Sequence, residues 1–269
     1  MFGLTFLTAT SRTTTHRVVP FRIARLAPLA GYVAGGFGPA VRADIDKITF
    51  PLDTKTLLSA TLSVARQTVG FANSGVAGYA AGGYTGTYFA TINKLAFPAD
   101  TATTLSATLT NGVFAPAGFA NSGVAGYVAG GDIGPMTSVI DKIAFSADTK
   151  TTLSATLTTA RGYVAGFANS GVAGYAAGGY DGSYLSGIDK VAFPTDSKST
   201  LSATLTSARL GAAGFANSGV AGYVAGGEGP AMRSDIDKVS FPADTKTTLS
   251  ATLTTARDGV AGFANSGTL

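Results

Sequence analysis

The sequence predicts an all-β chain folded as a five-bladed β-propeller of four-stranded antiparallel blades, and three observations predict it. The stretch GFANSGVAGYVAGG, at Gly214 to Gly227, recurs almost letter for letter; its Gly-Tyr pair stands at Gly31-Tyr32, Gly78-Tyr79, Gly126-Tyr127, Gly174-Tyr175 and Gly222-Tyr223, spaced 47, 48, 48 and 48 residues apart. A fixed period of that size signals a repeat architecture. Each period holds four short strand-like segments, which is the content of one propeller blade. The chain also enters the repeat at GYVAGG and leaves after AGFANSG at Gly267, so its C-terminal strand is the one the first blade lacks, and the ring is expected to close by pairing that strand with the first blade.

One repeat, Gly171 to Ala216, shows the elements in order. Tyr175, Ala176 and Ala177 lie between glycines and read as a short strand ending at Gly178-Gly179. Ile188 to Phe193 reads as a second strand, apolar on both faces, as expected when sheets pack on either side. In Thr200 to Leu205, Leu201, Ala203 and Leu205 alternate with Ser202 and Thr204, the pattern of a strand with one wet face and hence an outer edge. Between these two strands lies FPTDSK, in which Pro presets φ and Asp can accept a backbone hydrogen bond. The fourth strand, Ala213 to Ala216, consists of small residues suited to the centre, where blades converge. Asn217-Ser218-Gly219 then forms a tight hairpin, since Asn and Gly tolerate positive φ.

Composition narrows the function classes. The net charge is +4, from 19 basic and 15 acidic residues, but Arg12, Arg17, Arg22 and Arg25 lie in an acid-free leader spanning residues 1–30. The repeat body, residues 31–269, is therefore neutral and carries no basic stripe, which argues against nucleic-acid binding. No run approaches the roughly 18 apolar residues of a membrane span. The absence of Cys excludes disulfides and thiolate chemistry, and the only His is His16, in the leader. Neither a His/Cys metal cluster nor a Ser-His-Asp triad can be built on the repeats, so no metal, no cofactor and no catalytic residue are expected. Glycosidase-like carboxylates could come from the nonrepeating Asp44, Asp132, Asp181, Glu228 and Asp235, though nothing in the sequence brings two of them together.

Tyr223, Gly226-Gly227, Asp244 and Arg257 occupy positions that resemble the kelch repeat, in particular the kelch-like repeats of bacteriophage and cyanobacterial fibre-like proteins. The resemblance covers residues 31 to 267. Where kelch repeats carry an outer-strand Trp, this chain has Leu58, Leu105, Leu153, Leu201 and Leu249. The resemblance implies a noncatalytic recognition or adhesion module at an extracellular or virion surface.

Charged residues that recur once per repeat read as scaffold. The Asp of the IDK segment is Asp46, Asp141, Asp189 and Asp237, and an Arg follows twenty positions later, at Arg66, Arg161, Arg209 and Arg257. In the second repeat both change together, to Asn93 and Val113, which predicts structural ion pairs within each blade. Variation concentrates in the eight residues after each Gly-Gly: FGPAVRAD, YTGTYFAT, DIGPMTSV, YDGSYLSG and EGPAMRSD. Segments that keep their length while changing chemistry behave as loops on a rigid frame. The candidate ligand-binding residues are Tyr84, Tyr88, Tyr180 and Tyr184, with Tyr163 nearby and Arg42 and Arg233 elsewhere on the same face. Tyr offers an apolar face and a hydroxyl, suited to sugars and to protein partners alike, so the expected partner is a cell-surface glycan or protein. The alternatives are an assembly protein that self-associates by end-strand exchange, with Arg17 to Leu29 filling the first blade, and more remotely a glycoside hydrolase.

Overall fold

The structure is a computed structural model that describes residues 30–262, all strands, turns and loops. The first blade contains β1 (Ala30–Ala34), β2 (Asp44–Thr49) and β3 (Thr54–Thr61). The second contains β4 (Gln67–Asn73), β5 (Ala77–Tyr84), β6 (Thr91–Ala96) and β7 (Thr101–Thr108); the third, β8 (Ala117–Asn121), β9 (Ala125–Ala129), β10 (Ile140–Ala144) and β11 (Thr149–Thr152). The fourth contains β12 (Ala165–Asn169), β13 (Ala173–Ala177), β14 (Ile188–Ala192) and β15 (Ser197–Thr200), and the fifth β16 (Ala213–Asn217), β17 (Ala221–Ala225), β18 (Ile236–Ser240) and β19 (Thr245–Thr248). Every pairing is antiparallel between neighbours in sequence, so each blade is a meander, as predicted. The strands β4, β8, β12 and β16 touch one another in turn and line the centre.

The inner positions require glycine for a specific reason. A Cβ on Gly166 would sit 2.4 Å from the Gly118 carbonyl oxygen, and one on Gly214 would sit 2.3 Å from that of Gly166. Beside each inner strand an aromatic ring lies flat on the next blade: a Cβ on Gly126 would sit 2.0 Å from the Phe71 ring. That close approach builds a trio of rings at each blade interface. Phe119 stacks on Tyr127 at 5.4 Å, and Tyr127 on Phe193 of the following blade at 5.2 Å. Phe71, Tyr79 and Phe145 repeat the arrangement, as do Phe167, Tyr175 and Phe241. The hydrophobic core is thus a series of clusters between adjacent blades, each pair of rings adding roughly 0.5–1.5 kcal/mol beyond its burial.

The structure corrects the expected ion pairs by one blade. Arg161 reaches Asp189 at 3.2 Å and Arg209 reaches Asp237 at 2.7 Å, so each Arg pairs forward into the next repeat, and Asp189 with Arg209 is not a pair. The physical reason is the path of the chain: the Arg lies just past the outer edge of its own sheet, where the chain turns inward to become the innermost strand of the following blade. The joint loss at Asn93 and Val113 therefore did not delete one pair. It left Arg66 to the neutral Asn93, whose Oδ1 accepts from Nη2 at 2.8 Å, and Asp141 to Thr110, whose hydroxyl donates at 2.6 Å.

Two further expectations shift. The third strand of the specimen repeat is Ser197–Thr200, upstream of the alternating segment. Beyond it the chain keeps only spaced bonds to the sheet, Leu201 N–H to the Ile188 carbonyl and Leu205 N–H to the Ser186 carbonyl, both at 2.9 Å. Leu205 still points inward and is buried, so the alternation reported the buried face correctly but not the ladder. The turn aspartates, Asp100, Asp148, Asp196 and Asp244, adopt positive φ and send their carboxylates across to the preceding blade. Asp196, for example, accepts from the Tyr127 hydroxyl at 2.8 Å and from Lys142 Nζ at 2.6 Å. Of the leader only Ala30, and of the closing AGFANSG segment only Ala261 and Gly262, are among the described residues, and Gly262 lies against Phe215 of the fifth blade; residues 1–29 and 263–269 lie outside them.

Candidate functional site

Each Gly-Gly doublet leads from the AGY strand of a blade into the variable loop, following the strand in four blades and lying within β5 in the second. Gly178 has φ of 64°, and a Cβ there would sit 2.6 Å from the Arg209 carbonyl oxygen, so both conformation and space demand glycine. The loop then folds on itself. Tyr180 and Tyr184 form an isolated antiparallel bridge around the tip Asp181-Gly182-Ser183, where the Asp181 carboxylate accepts the Ser183 N–H at 3.0 Å. Tyr84 and Tyr88 form the same bridge in the second blade. Ring centroids lie 5.7 Å apart in the Tyr180–Tyr184 pair and 4.9 Å apart in the Tyr84–Tyr88 pair.

The segment after each Arg completes the rim, because Phe114 bridges Asp132, Gly162 bridges Tyr180 and Leu210 bridges Glu228. Tyr163 donates its N–H to the Ala115 carbonyl at 2.7 Å and accepts from the Gly211 N–H at 3.0 Å, tying three successive blades together. Ala115, Tyr163, Gly211 and Gly259 share the left-handed conformation, with φ of 50°, 57°, 62° and 59°. A tyrosine costs about 1–2 kcal/mol there relative to glycine.

Of the residues singled out from the sequence, Tyr84, Tyr88 and Tyr163 are brought together. The Tyr84 ring lies 5.6 Å from Phe114, and Phe114 meets Tyr163 edge-on at 5.7 Å, giving a chain of four rings, 88–84–114–163, across the second, third and fourth blades. Asp132 lies against this chain and accepts the Tyr88 hydroxyl at 3.1 Å. Partial burial, this hydrogen bond and the Asp132 charge raise the Tyr88 pKa, so the phenol stays protonated well beyond neutral pH. Tyr184 donates to Glu228 at 3.3 Å in the same way, and its pKa is raised by burial and the Glu228 charge.

The two arginines are not part of the aromatic chain. Arg42 is exposed and holds Asp44 through two bonds, at 2.8 and 3.1 Å. Arg233 bonds Asp235 at 2.8 Å and Ser207 at 2.7 Å, while Arg209 also bonds Asp235. Burial opposes ionisation of Asp235, but Arg209 and Arg233 outweigh it and hold its pKa below the ordinary carboxylate value. Asp44, Asp132, Glu228 and Asp235 thus each have a different partner. The sequence reading missed Phe114 and the role of Asp132. The signal was present in the same comparison of repeats: Val113 to Pro116 departs from the Arg-containing pattern of the other copies, and Asp132 opens one of the variable loops.

Fold and rim together define a class: a β-propeller whose repeated frame carries loops of differing chemistry on one face. No protein-family model matches the sequence, and no curated protein matches it. The chain is similar to the solved structure of YjhT, with a TM-score of 0.70 and 14% identity over 86% of this chain and 83% of that one. At that identity the similarity extends to the fold alone. Among the described residues, no helix is long and apolar enough to cross a membrane.

Proposed function

We propose that the protein is a noncatalytic recognition module that binds a cell-surface glycan through its loop face. The observation that carries the reading is the chain of four rings with Asp132 beside it. Pyranose rings present an apolar C–H face and equatorial hydroxyls. Tyr and Phe rings fixed by neighbouring loops match the first, and carboxylates and phenols match the second. Tyr163 supports the reading independently: the other positions in the series that share its left-handed conformation are Ala115, Gly211 and Gly259, and a bulky residue held at positive φ is the kind of strain that collects at binding sites. The kelch-like pattern of the repeats, with its similarity to fibre-like proteins, agrees with a role in surface attachment.

The test is binding to a broad glycan array by the full chain and by a Tyr84/Tyr88/Tyr180/Tyr184→Ala variant. A saturable signal in the parent, lost in a variant that retains its circular dichroism spectrum, is the expected result. Silence from the parent across the array, or equal binding by the variant, would remove the proposal.

A further inference from the structure

Four times the frame builds a seat for a primary ammonium, and each time from the same two parts. A tyrosine hydroxyl donates to a carboxylate of the next blade: Tyr32 to Asp100, Tyr79 to Asp148, Tyr127 to Asp196 and Tyr175 to Asp244, at 2.7–2.9 Å. The ammonium of Lys47, Lys94, Lys142 or Lys190 then sits 2.6 Å from that carboxylate and 5.7 Å from the centroid of the same tyrosine ring. The carboxylate charge and the negative face of the ring attract the cation together.

The loop face repeats those two parts twice and omits the lysine. Tyr88 donates to Asp132 Oδ1 at 3.1 Å and Tyr184 to Glu228 Oε1 at 3.3 Å, each again reaching forward into the next blade. Asp132 Oδ1 also accepts the Gly134 N–H at 2.8 Å. Asp132 Oδ2 and Glu228 Oε2 accept no hydrogen bond among the described residues, and neither carboxylate joins an ion pair there. Arg233, in the same loop as Glu228, is held by Asp235 and Ser207. From Gly82 to Ile92, from Gly130 to Val139 and from Gly178 to Gly187 the sequence has no Lys or Arg at all. Tyr88, Asp132, Tyr184 and Glu228 are half-buried, so the carboxylates are fixed by their tyrosines yet open to a ligand.

We infer that the loop face takes a ligand that brings its own ammonium: a glycan carrying free primary amines rather than N-acetyl or carboxylate groups. The inference rests on the loop-face glycan reading and adds the charge of the ligand to it. The amine takes the place that Lys holds at the interfaces, against Asp132 beside the Tyr84 and Tyr88 rings or against Glu228 beside the Tyr180 and Tyr184 rings. An N-acetyl amide has no charge to offer either carboxylate, and an acidic sugar is repelled by both.

Isothermal titration of the full chain with a glucosamine tetrasaccharide and with the matching N-acetylglucosamine tetrasaccharide tests the inference. The titrations are run at mildly acidic pH, where the amine is protonated and the carboxylates stay ionised. The free-amine form is expected to bind at least about tenfold more tightly. An Asp132→Asn/Glu228→Gln variant with an unchanged circular dichroism spectrum is expected to lose that preference. Equal binding of the two forms by the wild type, or a preference that survives in the variant, would overturn the inference. Binding of N-acetylated or acidic glycans on the array without the free-amine form would overturn it too, while leaving the loop-face reading intact. A chain that binds no glycan of any charge overturns both.

Discussion

Replacing Asp189 by Ala removes the carboxylate on which one blade interface converges. In the folded protein Asp189 accepts the Thr158 N–H at 2.8 Å, the Thr158 hydroxyl at 2.7 Å, the Thr200 hydroxyl at 2.7 Å and Arg161 at 3.2 Å. Burial opposes its charge, yet these bonds hold its pKa below the ordinary carboxylate value. The substitution leaves the buried Arg161 with only the Ala176 carbonyl, and stranding a buried charge costs about 3–5 kcal/mol. At 2–4 °C per kcal/mol for a domain of this size, the melting midpoint should fall by roughly 6–20 °C. The assay that decides the argument is a pair of double-mutant cycles read by urea unfolding. Asp189→Ala with Arg161→Ala should couple by about 0.5–3 kcal/mol, while Asp189→Ala with Arg209→Ala should be additive within about 0.5 kcal/mol. Coupling to Arg209 equal to or greater than that to Arg161 would refute the forward pairing between blades.

Three other perturbations have defined outcomes. Gly126→Ala drives a methyl group into the Phe71 ring, and overpacking of that kind should cost roughly 1–3 kcal/mol in thermal unfolding, whereas Gly38→Ala, whose nearest neighbour is 3.8 Å away, should be close to neutral. Burial, then the bonds to Asp148, Asp196 and Asp244, raise the pKa values of Tyr79, Tyr127 and Tyr175 above the usual 10.0. A raised pKa in the folded state means stability that is complete below about pH 10 and is lost as pH climbs through the folded values. Melting midpoints should therefore decline steeply above pH 10, and Tyr→Phe at these three positions should flatten that decline; a limb of unchanged slope would show that other groups control it. On the loop face, Tyr163→Gly releases about 1–2 kcal/mol of positive-φ strain but gives up the edge contact with Phe114, roughly 0.5–1.5 kcal/mol, so stability should change little while array binding is abolished; binding intact would separate Tyr163 from the site.

Much of the frame was legible because each repeat restates it. Strand positions followed from the spacing of Tyr175, Ile188 and Phe215, and the inner place of AGFANSG followed from the size of its residues. What escaped was connectivity that a single repeat cannot encode. Asp189 and Arg209 lie in one period, and periodicity alone leaves open whether Arg209 turns back or forward; the answer depends on the chain crossing to the centre after Arg209, which only the three-dimensional path supplies. The turn aspartates show the same limit. Asp196 reads locally as a residue tolerant of a turn, and its positive φ agrees, but its carboxylate is occupied by Tyr127 and Lys142, 69 and 54 residues earlier. The Tyr84, Tyr88 and Tyr163 grouping was legible because variation against an identical background marks loops directly. Arg42 and Arg233 were drawn in by the same variation, yet an acid stands two residues after each and engages it.

The forward register also explains why the second repeat can depart from the rest without breaking the fold. Under pairing within a blade, Asn93 and Val113 would be a matched loss and nothing would be left over. Under forward pairing each substitution strands a partner, and each partner is recovered by a different means. Arg66 is wholly buried, its pKa is depressed by that burial, and it uses Nε to donate to the Gly82 carbonyl at 2.6 Å besides bonding Asn93. Asp141 lacks an Arg, so the Thr110 N–H and hydroxyl, the Thr152 hydroxyl and Lys150 surround it. The threonine pair is present at the Arg-bearing interfaces too, around Asp189 and Asp237, so the carboxylate is solvated before any Arg arrives. Each member is thus lost once, the Asp at Asn93 and the Arg at Val113, and each loss is met by neutral hydrogen-bonding groups around the partner that stays. By position, Asp46 of the first blade, half-buried and paired with Lys55 at 3.0 Å, and the exposed Thr254 and Arg257 of the fifth correspond to the two halves of one more such interface.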